Sequence, residues 1–212
     1  GLGDVYKRQL DYSTITKTTA DDSDFAEQEQ APSKEQDQTI SGTTTFNKKY
    51  GDKAFSLGAK AKTKISYKSD KTSVAAVDSK GNVTIKGAGT AKITISAASS
   101  ANYNAASKTV TVKVTKPVPT IKVKKTSATV KYASLKKKAQ SFALGTSVNS
   151  KGKLTYKKLT KSSVLSVSSN GRITVKKGAK KGTYKVNIRI SAAAKGNYNA
   201  GSKTVTVIVK VK

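Results

Sequence analysis

The sequence predicts an all-β chain, with two tandem two-layer sandwiches behind a disordered acidic linker. Three observations lead there. The stretch "NYNAASKTVTVKV" at 102–114 returns 95 positions later as "NYNAGSKTVTVIV" at 197–209, with only Ala106 exchanged for Gly201 and Lys113 for Ile208. Apolar residues recur at a period of two rather than 3.6, the spacing of half-buried strands. The charges are segregated, since nine of the 12 Asp and Glu lie in residues 1–37 and none follows Asp78.

The acidic segment comes first. "TTADDSDFAEQEQAPSKEQDQ" is rich in Gln, Ser and carboxylates and holds a single Phe, so it cannot bury enough apolar surface to offset the cost of ordering. Residues 1–37 are therefore expected to form a disordered linker. The opening "GLGDVYKRQ", residues 1–9, reads as translated adapter sequence foreign to the protein and is set aside from the fold. No Met occurs anywhere, so the chain is expected to be a piece of a longer one. No apolar run approaches the roughly 18 residues of a membrane span.

The duplication extends beyond its first thirteen residues. "FSLGA" at Phe55 reappears as "FALGT" at Phe142, "ISYKS" at Ile65 as "LTYKK" at Leu154, and "SVAAVDSKGNVTIK" at Ser73 as "SVLSVSSNGRITVK" at Ser163. The offsets grow along the chain, as they do when loops lengthen between two copies of one fold. Between the copies lies "TKPVPT", where Pro117 and Pro119 favour an extended, semi-rigid connection. The expected domains are 38–116 and 117–212.

Each copy reads as about seven short strands. Tyr184, Val186, Ile188, Ile190 and Ala192 alternate with Lys185, Asn187, Arg189 and Ser191, and Val205, Val207, Val209 and Val211 form a second apolar row. "DSKGN" and "SSNGR" are turn sequences between short Val and Ile runs. Seven strands in about 80 residues is the rhythm of an immunoglobulin-like sandwich. With no Cys and no Trp, its core has to be aliphatic.

The stretch "YKSDKTSVAAVDSKGNVTIKGAGTAKITIS", 67–96, resembles the bacterial immunoglobulin-like group 2 repeat, whose pattern runs Ser-Asp, Val-Ala-x-Val-Asp, a Gly turn, Val-Thr and Gly-x-Ala-x-Ile-Thr. The second copy departs from it at Leu165, at Ser168 in place of Asp78, and at "KKGAKKGTYKVNI" in place of the Gly-x-Ala turn. The resemblance implies a tandem repeat in a bacterial surface or secreted protein, serving as spacer or adhesive module outside the cell.

Catalysis is not expected. General acid–base and nucleophilic chemistry draws mostly on His, Cys, Asp and Glu. The chain has no His and no Cys, and residues 117–212 have no carboxylate at all. The same inventory implies no cofactor and no metal, because three scattered Asp make a poor calcium cage.

Two groups of residues are candidate binding sites. Lys136, Lys137, Lys138, Lys157, Lys158, Lys176, Lys177, Lys180 and Lys181 lie in clusters without acidic neighbours, and residues 38–212 carry 37 Lys and Arg against three Asp, a net charge of +34. They read either as a solvated, solubilising surface or as an attractor of polyanions such as teichoic acid, anionic polysaccharide or nucleic acid without sequence preference. An even spread favours the first reading and one concentrated face the second. Tyr103 and Tyr198, each between two Asn, read as plugs over the end of a sandwich or as stacking platforms for a glycan. The expected partners are an anionic cell-wall polymer or a host glycan, bound by a monomeric part of a longer multidomain chain.

Overall fold

The computed structural model describes residues 35–212. The linker and adapter readings, residues 1–37 and 1–9, lie outside the described residues except for Glu35 to Asp37. Those three belong with the first sandwich: the Gln36 amide donates to the Asn102 carbonyl at 2.9 Å, and the Asn104 amide donates to the Gln36 carbonyl at 2.9 Å.

The first copy supplies seven strands: β1 (Thr45–Lys49), β2 (Phe55–Ser56), β3 (Ile65–Ser69), β4 (Ala75–Val77), β5 (Asn82–Ile85), β6 (Gly89–Ala97) and β7 (Ala106–Thr115). They form a four-stranded sheet in the order β1-β7-β6-β3 and a three-stranded sheet in the order β2-β5-β4. β1 runs parallel to β7, while β6 is antiparallel to both β7 and β3. The alternation seen in the sequence places the core. Ala91, Ile93, Ile95 and Ala97 of β6 and Val110, Val112 and Val114 of β7 are buried, and their polar neighbours face outward.

The second copy supplies β8 (Ile121–Val123), β9 (Ser127–Val130), a six-residue helix α1 (Tyr132–Lys137), β10 (Gln140–Ala143), β11 (Thr146–Val148), β12 (Leu154–Lys158), β13 (Leu165–Val167), β14 (Arg172–Val175), β15 (Gly182–Ala192) and β16 (Gly201–Val211). The sheet orders repeat as β9-β16-β15-β12 and β10-β14-β13, with β9 again parallel to β16. Both sandwiches are immunoglobulin-like in strand number and layering. Three elements go beyond the seven-strand expectation: α1, and the small pair β8 and β11. Their Leu135 and Ile121 join the second core, so the added pieces lie on the sandwich rather than looping free.

The two cores are separate clusters. One gathers Ile40, Leu57, Val83, Ile93, Ile95, Val110 and Val112 among others; the second gathers Leu135, Leu144, Leu165, Ile173, Ile188, Ile190, Val207 and Val209 among others. At roughly 1.5–3 kcal/mol for each fully buried aliphatic side chain, they are the main favourable term in each sandwich.

One of the two exchanges in the duplicated stretch has a steric reason. A Cβ on Gly201 would lie 2.8 Å from Val118 Cγ1 and 2.9 Å from Pro119 Cδ. The proline-bearing connection packs so close that only Gly fits. In the first copy Asp37 and Gln38 stand where Val118 and Pro119 stand in the second, and Ala106 is accommodated.

The turns between β4 and β5 and between β13 and β14 solve one problem in two ways. The Asp78 carboxylate accepts from the Lys80 and Asn82 amides at 2.9 and 2.8 Å and from Asn82 Nδ2 at 3.0 Å. These hydrogen bonds, led by the Asn82 amide, hold Asp78 below the ordinary carboxylate range. In the second copy the Ser168 hydroxyl accepts from the Arg172 amide at 3.0 Å, which closes the turn without a charge.

Candidate functional site

Seven of the nine candidate lysines come together at one end of the second sandwich. Lys136 and Lys137 form the last turn of α1 and Lys138 follows it. Lys176, Lys177, Lys180 and Lys181 occupy the loop between β14 and β15. Helix and loop are joined because the Gly178 amide donates to the Leu135 carbonyl at 2.9 Å, and Leu135 and Ala179 are buried beneath them. The Tyr184 hydroxyl donates to the Lys180 carbonyl at 2.8 Å, and Lys136 Nζ sits 5.1 Å over the Tyr132 ring. The loop is the longest insertion between the copies, and α1 has no counterpart in the first copy. Both additions therefore bring lysines to the same end.

The other two candidates are placed differently. Lys157 stands on the outer face of β12, opposite Arg189 of β15. Lys158 turns inward, and its ammonium donates to the Ser162 and Leu165 carbonyls at 2.8 and 3.1 Å. Its charge closes the β12–β13 connection. Lys158 also borders a cleft of about 300 Å³ shared with Lys176 and Lys177.

Sequence reasoning passed over two further structural lysines. Lys108 and Lys203 occupy equivalent positions in the duplicated stretch. Lys108 Nζ donates to the Ile40 and Gly42 carbonyls, and Lys203 Nζ to the Ile121 carbonyl at 3.3 Å. Each pins the segment that enters its sandwich. Their recurrence within an otherwise apolar alternation was the available signal.

The duplicated Asn-Tyr-Asn stretches form a second site, at the junction. Tyr198 is not among the side chains packed on the second core; its ring meets Tyr50, just after β1 in the first sandwich, edge-on with centroids 5.6 Å apart and planes at 85°. Asn197 Oδ1 accepts from the Ala88 amide, between β5 and β6 of the first sandwich, at 2.9 Å. Asn199 holds the connection itself, with its amide donating to the Pro117 carbonyl at 3.0 Å and Nδ2 to the Lys116 carbonyl at 2.9 Å. One tripeptide thus ties together the first sandwich, the linker and the second sandwich.

Tyr103 occupies the equivalent position in the first copy and lines an open cleft of about 490 Å³ with Gln36, Asp37, Gln38, Thr39 and Lys60 to Lys62. Asn104 Nδ2 donates to Asp37 Oδ1 at 2.8 Å. Gln38 is buried, with Nε2 donating to Thr63 Oγ1, the Ala98 carbonyl and the Asn104 carbonyl at 2.8 to 3.0 Å.

Among the described residues no group of three or more His, Cys, Asp or Glu could hold a metal, and no helix is long and apolar enough to cross a membrane.

Residues 55–99, which span β2 to β6, match the family of intimin immunoglobulin-like domains. No curated protein matches the chain. Among solved structures it is similar to human protocadherin-24 EC1-2, at 16% identity over 82% of this chain and 97% of that one, with a TM-score of 0.38. It is also similar to domains 4 and 5 of the S-layer protein SbsC, at 24% identity over 70% of each chain, with a TM-score of 0.32. A third is a SusE-like surface located polysaccharide binding protein from Bacteroides thetaiotaomicron, at 14% identity over 82% of this chain and 34% of that one, with a TM-score of 0.33.

Proposed function

We propose that the chain is a non-catalytic tandem immunoglobulin-like module, of the bacterial group 2 kind, in a bacterial surface or secreted protein, where it acts as a structural spacer or adhesion stalk. The observation that carries this reading is the junction. A spacer has to transmit position along its length, and here three consecutive residues, Asn197, Tyr198 and Asn199, hold one sandwich against the next. The intimin-type match over residues 55–99 and the resemblance of 67–96 to the group 2 repeat support the same reading. The residue inventory leaves catalysis without an acid–base constellation.

The test is mobility at the junction. The paired rings and the hydrogen bond contribute on the order of 1–3 kcal/mol together, enough to hold the docked arrangement for most of the time. Backbone ¹⁵N relaxation is expected to give one rotational correlation time for both sandwiches. The double variant Asn197→Ala, Tyr198→Ala should give two, with each sandwich still folded. If the unaltered sandwiches tumble independently, the module is a flexible string and the spacer reading fails.

A second reading, polyanion binding, is favoured by the gathering of Lys136 to Lys138 with Lys176, Lys177, Lys180 and Lys181 at one end of a sandwich that has no carboxylate. Raising salt from about 10 to 150 mM shrinks the Debye length from about 30 to 8 Å. Over that range, binding to heparin, teichoic acid or DNA is expected to fall with a similar slope for each polymer, while the stability of the second sandwich rises as its self-repulsion is screened. Lys176→Ser, Lys177→Ser, Lys180→Ser, Lys181→Ser should flatten that slope by about 3 to 4 counterions. If replacing the same number of lysines on the outer strand faces has an equal effect, the clustered end is part of a general coat.

A further inference from the structure

The first sandwich has the same receiving end as the second. Ser100 and Tyr103 exchange backbone hydrogen bonds, as do Lys195 and Tyr198. The Asn104 amide donates to the Gln36 carbonyl as the Asn199 amide donates to the Pro117 carbonyl, and Asn104 Nδ2 and Asn199 Nδ2 each hold the incoming segment, at Asp37 and Lys116. "EQDQTI" at 35–40 therefore enters the first sandwich along the path that "KPVPTI", 116–121, takes into the second, with buried Gln38 in the place of buried Pro119. The main-chain part of the Asn199 contact is thus repeated, while the side-chain amide moves from the Lys116 carbonyl to the Asp37 carboxylate two positions further along the segment.

The remainder of the junction has no counterpart. Asn197 is half-buried under the first sandwich with its amide oxygen on the Ala88 amide. Asn102, its equivalent, is exposed, and among the described residues its side-chain amide makes no hydrogen bond. Tyr198 has the Tyr50 ring against it; Tyr103 has no ring partner among the described residues and lines an open cleft.

The geometry points to a docking end: the Asn102–Tyr103 face of the first sandwich receives a further immunoglobulin-like sandwich of this same kind, whose turn amide and strand-end aromatic ring take Asn102 and Tyr103 as Ala88 and Tyr50 take Asn197 and Tyr198. The occupant has to carry an aromatic ring after its first strand and, at the turn between its fifth and sixth strands, a backbone amide with no partner inside its own sandwich, as the Ala88 amide bonds Asn197 of the neighbouring sandwich. The first sandwich's own far end meets both requirements. The far end of the second does not, because α1 and the lysine loop have rebuilt it: Lys136 covers Tyr132, and the Ala179 amide is bonded to the Lys176 carbonyl. Charge agrees with this assignment. Glu35 and Asp37, two of the five acids among the described residues, enter at the receiving face, while Lys86 adjoins the Gly87–Ala88 turn of the end that would dock. The lysine-rich end is thus a terminus for this kind of joint, and the Tyr103 end is a continuation point.

This inference rests on the reading of the chain as a tandem spacer, and one measurement separates the two. The probe is a chain in which a copy of residues 35–115 replaces residues 1–34 and is joined directly to Glu35, so that Glu35 takes the position of Lys116. Amide hydrogen exchange is read at both Ala88 positions, and folding of the added copy is read independently from the protection of its β6–β7 ladder. At the native junction the Ala88 amide should be protected at least about tenfold and should lose that protection in Asn197→Ala; failure there overturns the spacer reading. In the added copy the Ala88 amide should gain comparable protection and lose it in Asn102→Ala, with the ladder unchanged. A folded added copy whose Ala88 amide exchanges freely overturns the docking proposal, and so does a ladder that fails to form next to the Tyr103 end. Deletion of residues 1–34 alone should leave the Tyr103 ring resonances in place. A shift as large as Tyr198 shows on loss of Tyr50 would assign the face to the chain's own N-terminal segment instead.

Discussion

Ile188→Ala is expected to remove about 2–5 kcal/mol from the stability of the second sandwich and almost nothing from the first. Ile188 sits in the middle of β15, between β12 and β16, opposite Lys158 on one side and Val205 on the other. It is completely buried, with Val186, Ile190, Val207 and Val209 in the same core. Truncation to Ala loses the transfer free energy of the removed carbons and leaves a cavity that the two long flanking strands, paired over eleven residues, cannot easily close. The first core contains no residue from 117–212. We therefore expect two denaturant transitions by circular dichroism, with the variant shifting one of them and the pair collapsing into separately folding units 38–116 and 117–212 when expressed apart. A single transition that moves as a whole would show that the junction couples the sandwiches more strongly than its few contacts suggest.

Gly81→Ala has the next largest expected effect, about 2–4 kcal/mol, confined to the first sandwich. Gly81 closes the β4–β5 turn at φ +79°, where a side chain costs roughly 1–2 kcal/mol, and a Cβ there would lie 2.6 Å from Tyr67 Cζ. The ring cannot retreat freely because Tyr67 packs against the core, so the remaining 1–2 kcal/mol is overpacking strain. Gly171→Ala provides the internal repeat: φ is +75° and the Cβ would lie 2.6 Å from Tyr156 Cζ. The two substitutions should cost similar amounts, each in its own transition. A loss below about 1 kcal/mol in either would mean that the ring swings away and the turn glycine is there for its backbone alone.

These two residues illustrate how much of the fold could be read before the structure. The "DSKGN" and "SSNGR" turns were legible because a positive φ selects Gly locally, but the Tyr67 and Tyr156 rings lying across them were not, since those tyrosines are more than ten residues away in sequence. The strands were legible for a similar local reason. The apolar row from Tyr184 to Ala192 lies in β15, and that from Val205 to Val211 lies in β16. The helix α1 was missed because "YASLKK" is a single short turn with one buried residue, Leu135, too brief for a helical period to show.

The candidate sites divide along the same line. The nine lysines were found as runs in the sequence, which says nothing about whether separate runs meet. The Gly178–Leu135 hydrogen bond brings seven of them to one end, while the inward turn of β12 commits Lys158 to backbone carbonyls. Tyr198 was found by its repetition, yet its partner Tyr50 lies nearly 150 residues earlier.

An all-β chain, two similar sandwiches with aliphatic cores, and an excess of positive charge on the second were all legible in the residues alone. Each of these follows from short-range pattern: side-chain alternation decides which face is buried, and self-similarity decides how often the pattern is used. The tertiary structure alone decided that β1 and β9 run parallel to the last strand of their sheets, that the lysine runs converge, and that Asn197, Tyr198 and Asn199 form a joint while Asn102 and Tyr103 present the same chemistry outward. The physical reason is that identical residues acquire different roles from what is packed against them. Asn102 and Asn197 are the same residue in the same local sequence, and only the presence of the Ala88 amide makes one of them half of a hydrogen bond.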